Sequence, residues 1–145
     1  MNSTTQVTFK TVHQVKQKLT VICSLVEQHF QRAEKVLLLV PNEAAARYLD
    51  QLLWSHPPES FLPHTISSRP IAAAIVISQE AQNLNQAQVL INLCPAISPI
   101  AGEFKQVFEL FDCTDSAKEE LSKKRLEAYQ QLGYAVTVEE IAALV

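Results

Sequence analysis

Three short, uninterrupted apolar runs constrain this chain more than any other feature. Residues 35–40 read KVLLLV, residues 71–78 read IAAAIVIS and residues 88–93 read QVLINL. Each is too short for a buried helix, and Pro41 and the Arg69-Pro70 pair punctuate the chain beside two of them. A strand that is apolar on both faces has to be covered on both, which is the situation of a parallel sheet between layers of helix.

The intervening segments supply those helices. Between residues 12 and 30, Val15, Leu19, Ile22, Cys23, Val26 and Phe30 recur at spacings of three and four, one face of a helix. Before it, the alternating QVTFK at 6–10 predicts a first strand. Asn42 is placed to cap a second helix over 43–54, with Glu43 in its first turn and Ala46, Leu49, Leu53 and part of Trp54 inward. Residues 79–86 lack a period and read as a connection, and 103–111 as a short helix running into a strand. Asp115 or Ser116 opens the last helix, with Ser116 and Glu119 at capping-box spacing. Its expected inward residues are Ala117, Leu121, Ala128 and Leu132, and Gly133 is its stop signal. The tail from Ala135 reads as a last half-helix. The expectation is one α/β domain over 1–145, with a mostly parallel central sheet and helices on both faces.

Composition narrows the function. With 145 residues the chain can bury a core unaided, and 48% of them are hydrophobic. The formal net charge is −3, which argues against broad attraction to nucleic acid. Cys23, Cys94 and Cys113 lie far apart in apolar surroundings, so they read as reduced thiols in a cytoplasmic protein. No secretion signal or membrane span is expected. The layering is Rossmann-like, yet only Gly102 and Gly133 exist and no glycine-rich phosphate loop is present, so no cofactor is expected. His13 and His29 sit near the ends of the first helix, at the solvent boundary. His56 and His64 lack further metal partners and are expected to hold loop backbone instead. No catalytic constellation appears. The one anion-binding candidate is the strand-to-helix junction at Asn42.

The stretch LLWSHPPESFLPH at 52–64 stands out. The Pro57-Pro58 pair ends the helix entering it, and the stretch carries Trp54 and Phe61, either packed into the core or offered to a partner.

Several segments, taken in order, resemble the chi subunit of the bacterial DNA polymerase III clamp-loader assembly. They are VTFK at 7–10, VICSLVEQHF at 21–30, KVLLLV, ARYLDQLLW at 46–54 with SFLPH at 60–64, QVLINL, FKQVFEL at 104–110 and RLEAYQQLGY at 125–134. The resemblance covers the chain to about Val136. It implies a non-enzymatic accessory subunit of DNA replication. One surface, carrying Trp54 and Phe61, would bind the psi subunit or, in its place, a helicase. A second, along the last helix, would grip the acidic C-terminal tail of single-stranded DNA-binding protein. For that tail the resemblance points to Lys123 as first contact, with Lys118, Lys124 and Arg125 on the rim and Leu126 as apolar wall. The chain departs from the family pattern at Leu126, where the family has tyrosine, at Glu127, where it has a basic residue, and at Glu119, where another basic residue is expected unless a one-residue slip substitutes Lys118. Two other readings stay open: a solvated helix face with Glu119–Lys123 and Glu120–Lys124 pairs, and a small α/β nucleotide- or anion-binding domain or enzyme working at Asn42.

Overall fold

The computed structural model describes residues 4–55 and 62–140. Seven strands form one sheet: β1 (Gln6–Val12), β2 (Val36–Leu39), β3 (Thr65–Ile66), β4 (Ile75–Ser78), β5 (Val89–Asn92), β6 (Gln106–Asp112) and β7 (Ala135–Glu140). Three helices accompany them: α1 (Val15–Gln31), α2 (Glu43–Trp54) and α3 (Ser116–Gln131). The sheet order is β3-β4-β2-β5-β6-β1-β7, and every pairing is parallel.

The three apolar runs are the centre of this sheet. β2, β4 and β5 are buried along their whole lengths. Their side chains alternate between two cores. Val36, Leu38, Ile75, Ile77, Val89 and Ile91 meet α1 and α2 on one face. Leu37, Leu39, Val76 and Leu90 meet the α3 side on the other. The winding explains the division. Crossovers from β1 to β2 and from β2 to β3 step one way along the sheet, while those from β4 to β5 to β6 to β7 step back. A right-handed crossover places steps of opposite sense on opposite faces.

Several expectations change. The run at 71–78 is strand only over Ile75–Ser78. The short helix expected to open 103–111 is not formed: a single 3₁₀ turn at Ala101–Glu103 ends where it would begin, and strand runs over Gln106–Asp112. β3, two residues long, left no periodic trace in the sequence. The tail is no half-helix through Glu140, because Ala135–Glu140 pairs in register with β1. Its acids serve that pairing. Glu139 is ion-paired with Lys10 directly across the ladder, and Glu140 lies 3.3 Å from His13 Nε2. Residues 141–145 lie outside the described residues.

His29 is also not at the solvent boundary. It is 1% exposed, with Nδ1 2.7 Å from Glu34 Oε1 and its ring 5.3 Å from that of Phe108.

Candidate functional site

The last helix departs most from its sequence reading. Of the four residues expected inward, Leu121 and Leu132 are 39% and 55% exposed, Ala117 is exposed and Ala128 only half-buried. The buried face of α3 is Ser122, Arg125 and Tyr129. The cause lies on β6. Glu109 is fully covered there, and a buried carboxylate has to be matched by donors. Arg125 Nε donates to Glu109 Oε1 at 3.0 Å, while Tyr129 Oη and Asn92 Nδ2 donate to Oε2 at 2.6 and 2.8 Å. The rest of the guanidinium bonds to the carbonyls of Pro95 and Leu110 and to Ser122 Oγ. Burial pushes the Glu109 carboxyl up to about 7 against the opposing pull of Arg125 and the hydrogen bonds. Burial and Glu109 together raise Tyr129 as well. A lone acid inside the apolar strand VFELF is the sequence signal that marks this cluster.

With its inner face committed to Glu109, α3 offers its cations elsewhere. Lys118, Lys123 and Lys124 are exposed. Lys123 Nζ lies 3.7 Å from Glu119 Oε2, the pair expected for a solvated face, and Lys118 Nζ lies 3.9 Å from Asp115 Oδ2. Leu126 is half-buried and packs into the α3-side core. The five residues assigned to tail binding therefore divide. Arg125 is a buried clamp, Leu126 is partly core, and the three lysines are presented to solvent.

Lys118 and Arg125 also line a cleft of about 360 Å³ at the carboxyl edge of the sheet. Its walls come from α1 (Lys18, Leu19, Ile22), α2 (Ala45, Tyr48, Leu49, Leu52) and α3 (Lys118, Leu121, Arg125). The segments after β2 and β5 close its top with Pro41, Leu93 and Pro95. This is where connections leave neighbouring strands β2 and β5 toward opposite faces, the crevice in which α/β sheets bind ligands. Lys18 Nζ lies 2.6 Å from Asp112 Oδ2 at the cleft's end. Burial opposes the Asp112 charge, but the hydrogen bonds from Lys18 and Thr114 outweigh it and hold the carboxyl below its ordinary range. Sequence reading missed Lys18, Tyr48 and Leu121 as site residues. The one available signal is that the stripe Ala45, Tyr48, Leu49, Leu52 on α2 is wider than the core face it was assigned.

At the far end of α2, Trp54 is 56% exposed, so only part of it is covered. Its ring centroid is 4.7 Å from that of His64. His64 Nδ1 donates to the Leu62 carbonyl at 2.7 Å, as expected for a histidine holding loop backbone, and Nε2 faces Asp50 Oδ1 at 3.0 Å. Phe61 and His56 lie outside the described residues. Asn42 caps α2, its Oδ1 accepting from Ala45 N at 2.8 Å.

The chain is thus an all-parallel α/β domain without a glycine-rich phosphate loop, with Trp54 exposed at the end of α2 and three lysines exposed on α3. Residues 4–137 match the family described as "DNA polymerase III chi subunit, HolC", and the chain belongs to that family. It is 27% identical over 116 residues to the DNA polymerase III subunit chi of Escherichia coli (strain K12), covering 78% of each chain. It is 25% identical over 124 residues to that of Haemophilus influenzae, covering 83% of this chain and 85% of the relative. Against that of Pseudomonas aeruginosa it is 27% identical over 117 residues, covering 81% and 82%. Among solved structures it resembles T4 UvsW, with a TM-score of 0.62 at 6% identity, over 96% of this chain and 41% of that one. That likeness concerns the fold alone. Membership of the chi family makes DNA replication the setting in which the chain acts.

Proposed function

We propose that this chain is a non-catalytic adaptor, one domain over 1–145, that joins the clamp loader to DNA coated with single-stranded DNA-binding protein. Trp54 and Phe61 form the surface for psi or a helicase, and α3 captures the acidic tail in the cytoplasm. The observation that carries the tail reading is the exposure of Lys118, Lys123 and Lys124 on a helix that the buried Arg125–Glu109 contact fixes to the sheet. Charge on a rigid helix is cheap to use, because little ordering remains to be done on binding. Among the described residues no helix is long and apolar enough to cross a membrane.

Titration calorimetry with an acidic peptide bearing a free C-terminal carboxylate tests the proposal. Micromolar binding that weakens as salt rises is expected, since exposed charges are screened. Lys123→Glu weakens it and Glu127→Lys strengthens it. Equal affinity for the amidated peptide, together with indifference to every lysine substitution on α3, removes tail capture from the function.

A further inference from the structure

We propose that His64 is a buried imidazolium, protonated on both ring nitrogens, and that with Asp50 it sets the pose in which Trp54 meets a partner. The positioning role rests on the reading of Trp54 as a partner anchor. The protonation of His64 stands apart from that reading and can be observed with no partner present.

The ring is held between oxygens. His64 immediately precedes β3, and its side chain is fully covered, at 0% exposure. Its Nδ1 lies 2.7 Å from the Leu62 carbonyl oxygen, and its Nε2 lies 3.0 Å from Asp50 Oδ1. A carbonyl and an ionised carboxylate only accept, whereas a neutral imidazole has a single N–H to give. With Nδ1 donating to Leu62, a neutral ring would turn its remaining lone pair toward a carboxylate. One further proton is therefore required, on the ring or on Asp50. Water still reaches Asp50, whose side chain is 28% exposed, and solvates a carboxylate there. The Nε2 contact is out of line for a hydrogen bond, so attraction between opposite charges, which depends less on direction, is what can act across it.

The indole supplies the second argument. Its ring centroid lies 4.7 Å from that of His64, inside the roughly 6 Å over which an aromatic ring attracts a cation. A proton on the ring thus serves the Asp50 contact and the indole together, while a proton on Asp50 serves only the first. Asp50 and Trp54 are one turn apart on the same side of α2, so the carboxylate that holds the imidazole is fixed to the helix that carries the indole. Trp54 rests on a ring tied at two points and keeps 56% of its own surface exposed. An anchor ordered in advance has less freedom to lose on binding.

Long-range proton–nitrogen correlation spectra of the full nitrogen-labelled chain read the ring directly, and the signal missing from His64→Gln assigns it. Both nitrogens should resonate in the protonated range at the pH of the binding assay, and in Asp50→Asn one should lose its proton. Trp54 is the single tryptophan, so its emission reports on this contact. A protonated imidazole quenches a neighbouring indole more strongly than a neutral one, so emission should rise in both variants, with melting curves confirming that each is folded. In titration against psi each variant should lose about fivefold in affinity, the effect of an anchor left to order on binding. A single protonated nitrogen in the native chain overturns the proposal, even where Trp54→Ala weakens psi binding. Two protonated nitrogens, with Trp54→Ala weakening psi binding and Asp50→Asn and His64→Gln without effect on it, overturn the positioning role. If the ring is doubly protonated and Trp54→Ala leaves psi binding unchanged, the imidazolium is upheld and the anchor reading of Trp54 falls.

Discussion

Glu109 is the side chain with the most at stake. Its carboxyl is pushed up from an ordinary 4.5 to about 7, burial outweighing the attraction of Arg125 and the bonds from Tyr129 and Asn92. Between those two values the folded chain holds a proton that the unfolded chain has lost. Stability therefore falls as pH rises through this window and levels off above it, by at most about 3 kcal/mol at 1.36 kcal/mol per pKa unit. Urea unfolding at pH 5.5 and 7.5 checks this, and Glu109→Gln should remove that component of the slope. Arg125→Met strands the buried carboxylate and leaves the Pro95 and Leu110 carbonyls without that donor. A loss on the order of 3–5 kcal/mol is expected by chemical denaturation at pH 8. Arg125→Lys should not restore it, because an ammonium group cannot reach three sites in fork geometry.

Among the elements, α3 shows how a helix can be fixed by polar rather than apolar contacts. Ser122, Arg125 and Tyr129, spaced three and four apart, face the sheet, and Leu121 and Leu132 are left outside. Its ends follow local rules. Asp115 accepts from Lys118 N at 2.8 Å, so Asp115 rather than Ser116 is the cap. Asp115→Ala is expected to lower stability by about 1 kcal/mol. Gly133 sits at φ +86, and a Cβ at this position would meet nothing within 4 Å, so the obstacle to a side chain is conformational and not steric crowding. Gly133→Ala should cost about 1–2 kcal/mol in thermal unfolding, the strain of the left-handed region.

For the molecule as a whole, the reversal of winding direction puts α1 and α2 on one face of the sheet and α3 on the other, with the cleft where the layers part. The exposed indole of Trp54 stands at the opposite end of α2 from the Asn42 cap. Trp54→Ala should leave the melting temperature nearly unchanged, because more than half of the side chain is already in water. It should weaken psi or helicase binding by about thirtyfold, roughly 2 kcal/mol, as measured in a pull-down titration. A large drop in melting temperature would instead make Trp54 part of the core.

The sequence alone determined the parallel α/β class, because β2, β4 and β5 carry apolar residues on both sides and only a doubly covered strand tolerates that. It also determined α1, α2, the Asn42 cap and the Gly133 stop, whose signals lie within a turn or two of chain. What only the folded chain could settle involves partners distant in sequence. The inward face of α3 depends on Glu109, 16 residues before Arg125. β7 forms because β1 offers it an edge and Lys10 meets Glu139 across 129 residues. The cleft joins residues from Lys18 to Arg125, and no local pattern reports that three helices will stop short of one another over the same strand ends. Periodicity reports which residues share a face of one element; what that face meets is set by contacts made across the chain.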